Sequence, residues 1–260
     1  MNANDDLSDR DGLLATLAWW VDAGVNTLVD NAPRDWFAAP AARPKQEAAP
    51  ASTPATRPGP VPMPRAMHRA EPAARSIAEL RAEVEAFTGC PLRTAGVNTV
   101  FADGNAAADL MLIGEAPGAE EDRKGLPFVG PAGQLLDRML AAIGRNRGSA
   151  YISNVTFWRP PGNRTPTPEE VETCLPLVHR HIALVRPRAI VALGAVATRA
   201  LTGDAGGIMR MRGSWRTLSV EGADYPLLPT LHPAFLLRQP DAKRLAWADL
   251  LSLKARLDAD

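Results

Sequence analysis

Four short apolar runs, each followed by a stretch of helical spacing, constrain this 260-residue chain more than any other feature. The runs are Leu110–Ile113, Tyr151–Asn154, Ala189–Leu193 and Leu227–Thr230. The helical patterns lie at Ala132–Ile143, Pro168–Val185, Ala195–Leu201 and Leu245–Leu257. Strands that alternate with helices form a mostly parallel sheet covered on both faces. The expected fold is therefore α/β, a three-layer α/β/α sandwich around a mostly parallel four-stranded sheet. In such sheets ligands bind at the carboxyl ends of the strands, so the loops after these runs are where chemistry is expected. A hydrophobic content of 46% is ample for one core.

Local signals place the domain's edges. Ser76 caps a helix running to Val84 and marks the start of the folded part. Thr167 is an N-cap, Pro168 fills the first turn and Glu170 completes a capping box. The helix that follows carries the apolar stripe Val171, Cys174, Leu175, Val178, Ile182 and Val185, and Pro176 is expected to kink it. Upstream, residues 1–37 read as an amphipathic helical extension whose Trp19 and Trp20 are expected to dock on the main domain. Residues 38–75 read as a disordered Pro/Ala-rich linker, with nine prolines between Pro40 and Pro72. The domain spans 76–260.

Two cysteines, Cys90 and Cys174, make no disulfide framework and point to a reducing compartment. The N-terminus does not read as a secretory signal, and the stretch Leu13 to Val29 is too short and too polar to span a bilayer. A cytoplasmic setting is expected. Net charge is zero, yet 17 Lys+Arg face 10 Asp+Glu from Arg138 onward, against 12 and 19 before it. A basic C-terminal half fits a polyanionic partner.

Three loops hold the candidate site residues. The first runs Gly114-Glu-Ala-Pro-Gly-Ala-Glu-Glu-Asp122 and continues Gly125-Leu-Pro-Phe-Val-Gly-Pro-Ala-Gly-Gln-Leu-Leu136. It joins the carboxylate Glu115, a Pro-Gly turn, an acidic triplet and Phe128 on a stiff segment. The second begins at Asn154 and reads Arg159-Pro-Pro-Gly-Asn-Arg-Thr-Pro166. The third, Leu231-His-Pro-Ala-Phe-Leu-Leu-Arg238, puts His232 just after a strand. There is no GxGxxG, P-loop or nucleophile elbow to support a nucleotide-binding or small-molecule hydrolase reading.

From Phe87 to Leu257 these motifs resemble those of the family 4 uracil-DNA glycosylases. The resemblance implies excision of uracil from single- or double-stranded DNA by hydrolysis of its N-glycosidic bond, leaving an abasic site for base excision repair. It implies that Glu115 and His232 are catalytic, and that Ala116, Glu121, Phe128 and Asn154 bind the base. Phe128 then stacks on uracil, Asn154 pairs with its edge through donor and acceptor, and His232 donates an N–H to the departing anion. Phosphate contacts are expected from Arg159, Arg164, Arg210, Arg212 and Arg238, with Phe235 and Leu236 wedging the base stack. Lys124, Lys243 and Lys254 lie outside the motifs, so the enzyme is expected to be monofunctional. A monomer is expected. The alternative is a glycosylase-like protein that recognises uracil or damaged DNA without efficient turnover.

One departure stands out. The family carries a four-iron, four-sulfur cluster on four cysteines. Here Cys90 and Cys174 match two ligands, while Phe87 and Trp158 stand at the other two positions. Since the cluster needs four thiolates, its absence is expected, with an apolar plug in its place.

Overall fold

The computed structural model describes residues 69–94 and 96–259. The expected N-terminal helix and nearly all of the expected linker lie outside the described residues. The last part of that linker does not behave as one. Ala70 and Ala74 are buried, the Ala70 N–H donates to the Thr173 carbonyl, and Arg180 donates to the Ala74 carbonyl at 2.6 Å. Residues 69–75 therefore pack on the domain, because small alanines fit where longer side chains would not.

Helix α1 (Ile77–Ala86) starts at the Ser76 cap, whose hydroxyl accepts the Glu79 N–H. Strands β1 (Asp103–Gly104), β2 (Leu110–Gly114) and β3 (Tyr151–Asn154) follow, with α2 (Ala119–Lys124) and α3 (Pro131–Ala142) between the last two. Helix α4 (Pro168–Val185) leads to β4 (Ala189–Leu193) and α5 (Gly194–Thr202), then to the short α6 (Ile208–Met211). The remaining elements are β5 (Arg216–Val220), β6 (Ala223–Thr230), α7 (Pro233–Arg238) and α8 (Lys243–Asp258).

Among the described residues the sheet has six strands, not four, in the order β1-β3-β2-β4-β6-β5. The four expected strands form its parallel centre, and β1 and β5 add antiparallel edges. The edges escaped the apolar-run reading because β5 alternates, with Leu218 and Val220 buried and Thr217 and Ser219 exposed. The centre reads clearly because both its faces are covered. Met111, Ile113, Ile190 and Ala192 pack toward α1, α4 and α5, while Leu110, Leu112, Val191 and Leu193 pack toward α3, α7 and α8.

Helix α4 keeps the expected capping box: Thr167 accepts the Glu170 N–H at 3.3 Å, and Glu170 accepts the Thr167 N–H at 2.8 Å. Its helical backbone continues through Pro176. With β2, β3, β4 and β6 parallel, their carboxyl ends, and the loops holding Glu115, Asn154 and His232, lie on one edge of the sheet.

Candidate active site

A cleft of about 490 Å³ opens at that edge, and Glu115, Ala116, Glu121, Phe128, Asn154 and His232 all line it. Asn154 ends β3 directly across from Gly114, the last residue of β2. Its side chain is 2% exposed and lies against the Gly114 α-carbon, with the Phe128 ring beside it. A Cβ at Gly114 would stand 2.4 Å from Asn154 Oδ1 and 2.5 Å from Phe128 Cζ. Glycine is what lets amide and ring converge.

Phe128 is held in a costly conformation. Its φ of 55° lies in the left-handed region, worth roughly 1–2 kcal/mol of strain for a residue with a side chain. Arg147 secures it from behind by donating to the carbonyls of Pro127 and Phe128. Asp103 at 2.5 Å and Asp137 at 2.9 Å orient that guanidinium. On the other side Glu121 Oε1 accepts the N–H groups of Val129 and Gly130 at 3.0 and 2.9 Å, and its Oε2 accepts the Gly118 N–H at 3.1 Å. Glu121 thus lines the cleft, but both its oxygens brace the loop. Gly133 completes the support, since a Cβ there would meet the Phe128 carbonyl oxygen at 1.7 Å. Arg147 and Gly133 carry no sequence signal of this role, because it depends on the fold.

His232 caps α7. Its Nδ1 accepts the Ala234 N–H at 3.1 Å, which assigns the proton of the neutral ring to Nε2. Burial, with the Arg238 charge second, lowers the imidazole to about 4, while the Glu121 charge opposes this. The ring is neutral at physiological pH and faces Phe128, with centroids 5.6 Å apart. Gly194 makes room for it: a Cβ there would come within 2.9 Å of His232 Cβ. Behind the loop, Asp249 accepts the Thr230 hydroxyl at 2.6 Å and a two-pronged contact from Arg212.

Burial raises the Glu115 carboxyl above its ordinary value, and a hydrogen bond with Thr165 and the charge of Arg238 oppose that rise. Thr165 belongs to the second motif's loop, which Arg164 pins by a bidentate pair with Glu170 at 2.8 and 2.6 Å.

The residues expected to touch DNA divide. Arg238 is exposed and lines the cleft, and Arg210 is exposed on α6. Arg164 lines the cleft but is committed to Glu170, while Arg159 uses its Nε on Asn163 at 2.6 Å. Arg212 points inward, where the buried carboxylate of Asp249 and the Leu245 carbonyl take its donors. This corrects its reading as a phosphate contact. Leu236 is 1% exposed and packs in the core, which removes it as a wedge. Its neighbour Leu237, 40% exposed, faces out instead, and Phe235 is half-buried.

At the four positions where the resemblance places cluster ligands, the side chains do not fit one. The Phe87 and Trp158 rings stack with centroids 6.3 Å apart, and Trp158 is fully buried with its Nε1 donating to Thr99 Oγ1 at 3.1 Å. Cys90 and Cys174 are free thiols, both buried. Two thiols and two aromatic rings cannot supply four thiolates.

Comparison with known proteins agrees with this geometry. Residues 101–251 match the model of the uracil DNA glycosylase superfamily. The chain is 43% identical over 155 residues to the type-4 uracil-DNA glycosylase of Pyrobaculum aerophilum, an alignment covering 58% of this chain and 79% of that protein. It is 38% identical over 172 residues to the type-4 enzyme of Archaeoglobus fulgidus, covering 65% and 86% of the two chains. With that of Thermotoga maritima it shares 39% identity over 175 residues, covering 66% and 90%. A cleft built from three strand ends of one parallel sheet, in a chain this similar to those enzymes, makes the protein a member of the type-4 uracil-DNA glycosylase family.

Proposed function

We infer that the protein is a monofunctional uracil-DNA glycosylase, which draws a uracil nucleotide out of DNA and hydrolyses its N-glycosidic bond to leave an abasic site. The observation that carries this is the meeting of Glu115, Asn154, Phe128 and His232 in one cleft from three separate loops. A base extruded from the stack is read by its face and edge. Phe128 takes the face, and the Asn154 amide offers a donor and an acceptor to the edge, with Ala116 beside it. As the bond breaks, the sugar gains oxocarbenium character and negative charge gathers on uracil. Ionised Glu115 stabilises the cation and orients water, while the His232 Nε2–H donates to the uracil carbonyl. A neutral histidine suits this role, because it donates without having to lose a proton first. None of Lys124, Lys243 or Lys254 lines the cleft, which supports attack by water without a lysine adduct.

At the rim of the cleft Arg238 grips a flanking phosphate, and Leu237, the exposed leucine of α7, fills the gap in the stack. Arg210 adds a more distant charge. The enzyme works as a monomer in the cytoplasm and needs no iron–sulfur cluster, because Phe87 and Trp158 stand where two ligands would be. Among the described residues no helix is long and apolar enough to cross a membrane. Iron measured on anaerobically purified protein should be absent, and about four irons per chain would overturn the cluster-free reading.

The test of the activity is incubation with single- and double-stranded oligonucleotides bearing one uracil, followed by alkaline cleavage. Strand scission is expected, with Glu115→Ala and His232→Ala each slowing excision more than about tenfold. Intact oligonucleotide at stoichiometric enzyme would overturn it. Tight binding with no scission would point to a glycosylase-like binding protein.

A further inference from the structure

A second concave surface, about 380 Å³, lies at the far end of α2 from the uracil cleft, lined by Arg93, Arg123 and Lys124 with Glu85, Asn98 and Thr99. Three cations face one carboxylate there. Lys124 is exposed and takes part in none of the ion pairs among the described residues. The Arg123 side chain is 66% exposed, and its pair with Glu120 is one that solvent weakens. Arg93 uses one nitrogen on the Glu85 carbonyl and keeps its other donors. Thr99 accepts from the Trp158 ring, so its own hydroxyl proton is free to donate outward. The floor is firm, since Asn98 is tied to Asp122 through both its backbone N–H at 2.8 Å and its side-chain amide at 2.7 Å.

The geometry of α2 links the two surfaces. Gly118 and Glu121 line the uracil cleft, whereas Arg123, Lys124 and Gly125 line the basic one. At about 1.5 Å per residue, the helix of six residues is roughly 9 Å long. Along a B-form duplex each strand carries one phosphate per about 3.4 Å of axis, so that length corresponds to two or three nucleotides of a strand in that form.

We propose that this basic cleft holds a backbone phosphate of the strand whose uracil occupies the first cleft, two or three nucleotides away. The proposal rests on the uracil reading. It assigns to the Arg93–Lys124 surface the grip that Arg164 and Arg212 do not supply, as their guanidiniums are committed within the chain. The contact is electrostatic, so it sets affinity and leaves bond cleavage untouched.

The experiment compares the wild type with Lys124→Glu, Arg123→Gln and the double variant. Binding of a single-stranded uracil 20-mer is titrated across a salt series, and single-turnover excision is followed on the 20-mer and on a trinucleotide with uracil at its centre, whose only phosphates adjoin the uracil nucleotide and do not reach the cleft. The double variant is expected to bind the 20-mer about tenfold more weakly, and its salt slope should fall by about 0.7 per lost contact. Excision at saturating enzyme, and all behaviour on the trinucleotide, should stay at the wild-type level. Lys124→Gln should give an intermediate loss and serves as the milder replacement. Unchanged affinity and salt slope would overturn the proposal, as would an equal loss on the trinucleotide. If the wild type binds the 20-mer but does not excise uracil, the catalytic reading fails, while the salt series still decides this one.

Discussion

Replacing Gly114 with alanine adds one methyl group at the place where two pocket side chains converge. The new Cβ would meet Asn154 Oδ1 at 2.4 Å and Phe128 Cζ at 2.5 Å, where ordinary contact begins near 3.4 Å. Amide and ring must each give way by roughly 1 Å, a displacement that can cost about a hundredfold in rate. Asn154 is 2% exposed, while Phe128 is 5% exposed, backed by the His232 ring and fixed through its own backbone. Gly114 is not among the positive-φ residues, so alanine suits the backbone and the effect comes from the clash alone. The overpacked site should also lose about 1–3 kcal/mol of stability. Single-turnover excision of a uracil oligonucleotide, measured beside a thermal melt, separates the two effects. The rate should fall about a hundredfold at a temperature where the variant is fully folded. In a double-mutant cycle, Gly114→Ala should cost less on a Phe128→Ala background, because the ring that it strikes is gone. A folded variant with the wild-type rate would refute this account of the pocket.

Three other outcomes are expected. Phe128→Ala removes the ring proposed to stack on the base and should weaken transition-state binding by about 1–3 kcal/mol, read as kcat/KM; Arg147→Ala should lower kcat/KM in the same direction and also lower Tm, and Arg147→Lys should restore only part of each. Because burial raises Glu115 and lowers His232 to about 4, the acid limb of kcat/KM should lie above the pH of an ordinary glutamate. Glu115→Gln should abolish that limb and leave the residual rate flat down to about pH 4. His181, fully buried with its Nε2 2.9 Å from the Tyr151 hydroxyl, is lowered by burial from 6.5 to about 3. The folded state then binds fewer protons than the unfolded one, so stability should fall as pH drops from 6.5 toward 3, by up to about 1.4 kcal/mol per unit. Denaturant titration of His181→Leu should show a flatter pH dependence, and an unchanged slope would reject the assignment.

The sequence makes legible what local pattern decides. The four central strands are buried on both faces and so read as unbroken apolar runs, and Thr167, Pro168 and Glu170 announce the start of α4 within a few residues. Strand β5 was less visible because alternating Thr217 and Ser219 face solvent. Orientation was harder still. Leu236 and Leu237 are equivalent as letters, and only the phase of α7 buries the first and exposes the second. Arg212 looks like a phosphate ligand until the carboxylate of Asp249 arrives from α8, 37 residues later. Pocket side chains could be named from their loops, but their supports, drawn from distant segments, could not.

Those supports share one physical form. Three of the four main pocket side chains, all but Asn154, have an arginine ion pair behind them. Arg147, held by Asp103 and Asp137, fixes the backbone of Phe128. Arg164 and Glu170 fix the loop of Thr165, which lines the cleft beside Glu115. Arg212 and Asp249 fix Thr230, two residues before His232. Desolvation consumes most of the attraction in such pairs, so they add little net stability, yet removal of one partner leaves a costly unpaired charge. Their effect is geometric. Each pair makes a small displacement of its loop expensive, and small displacements are what a site built on the convergence of separate loops cannot tolerate. The basic excess of the C-terminal half, which at first suggests only a polyanion, is therefore divided: part of it is structural, and Arg210 and Arg238 remain exposed for DNA.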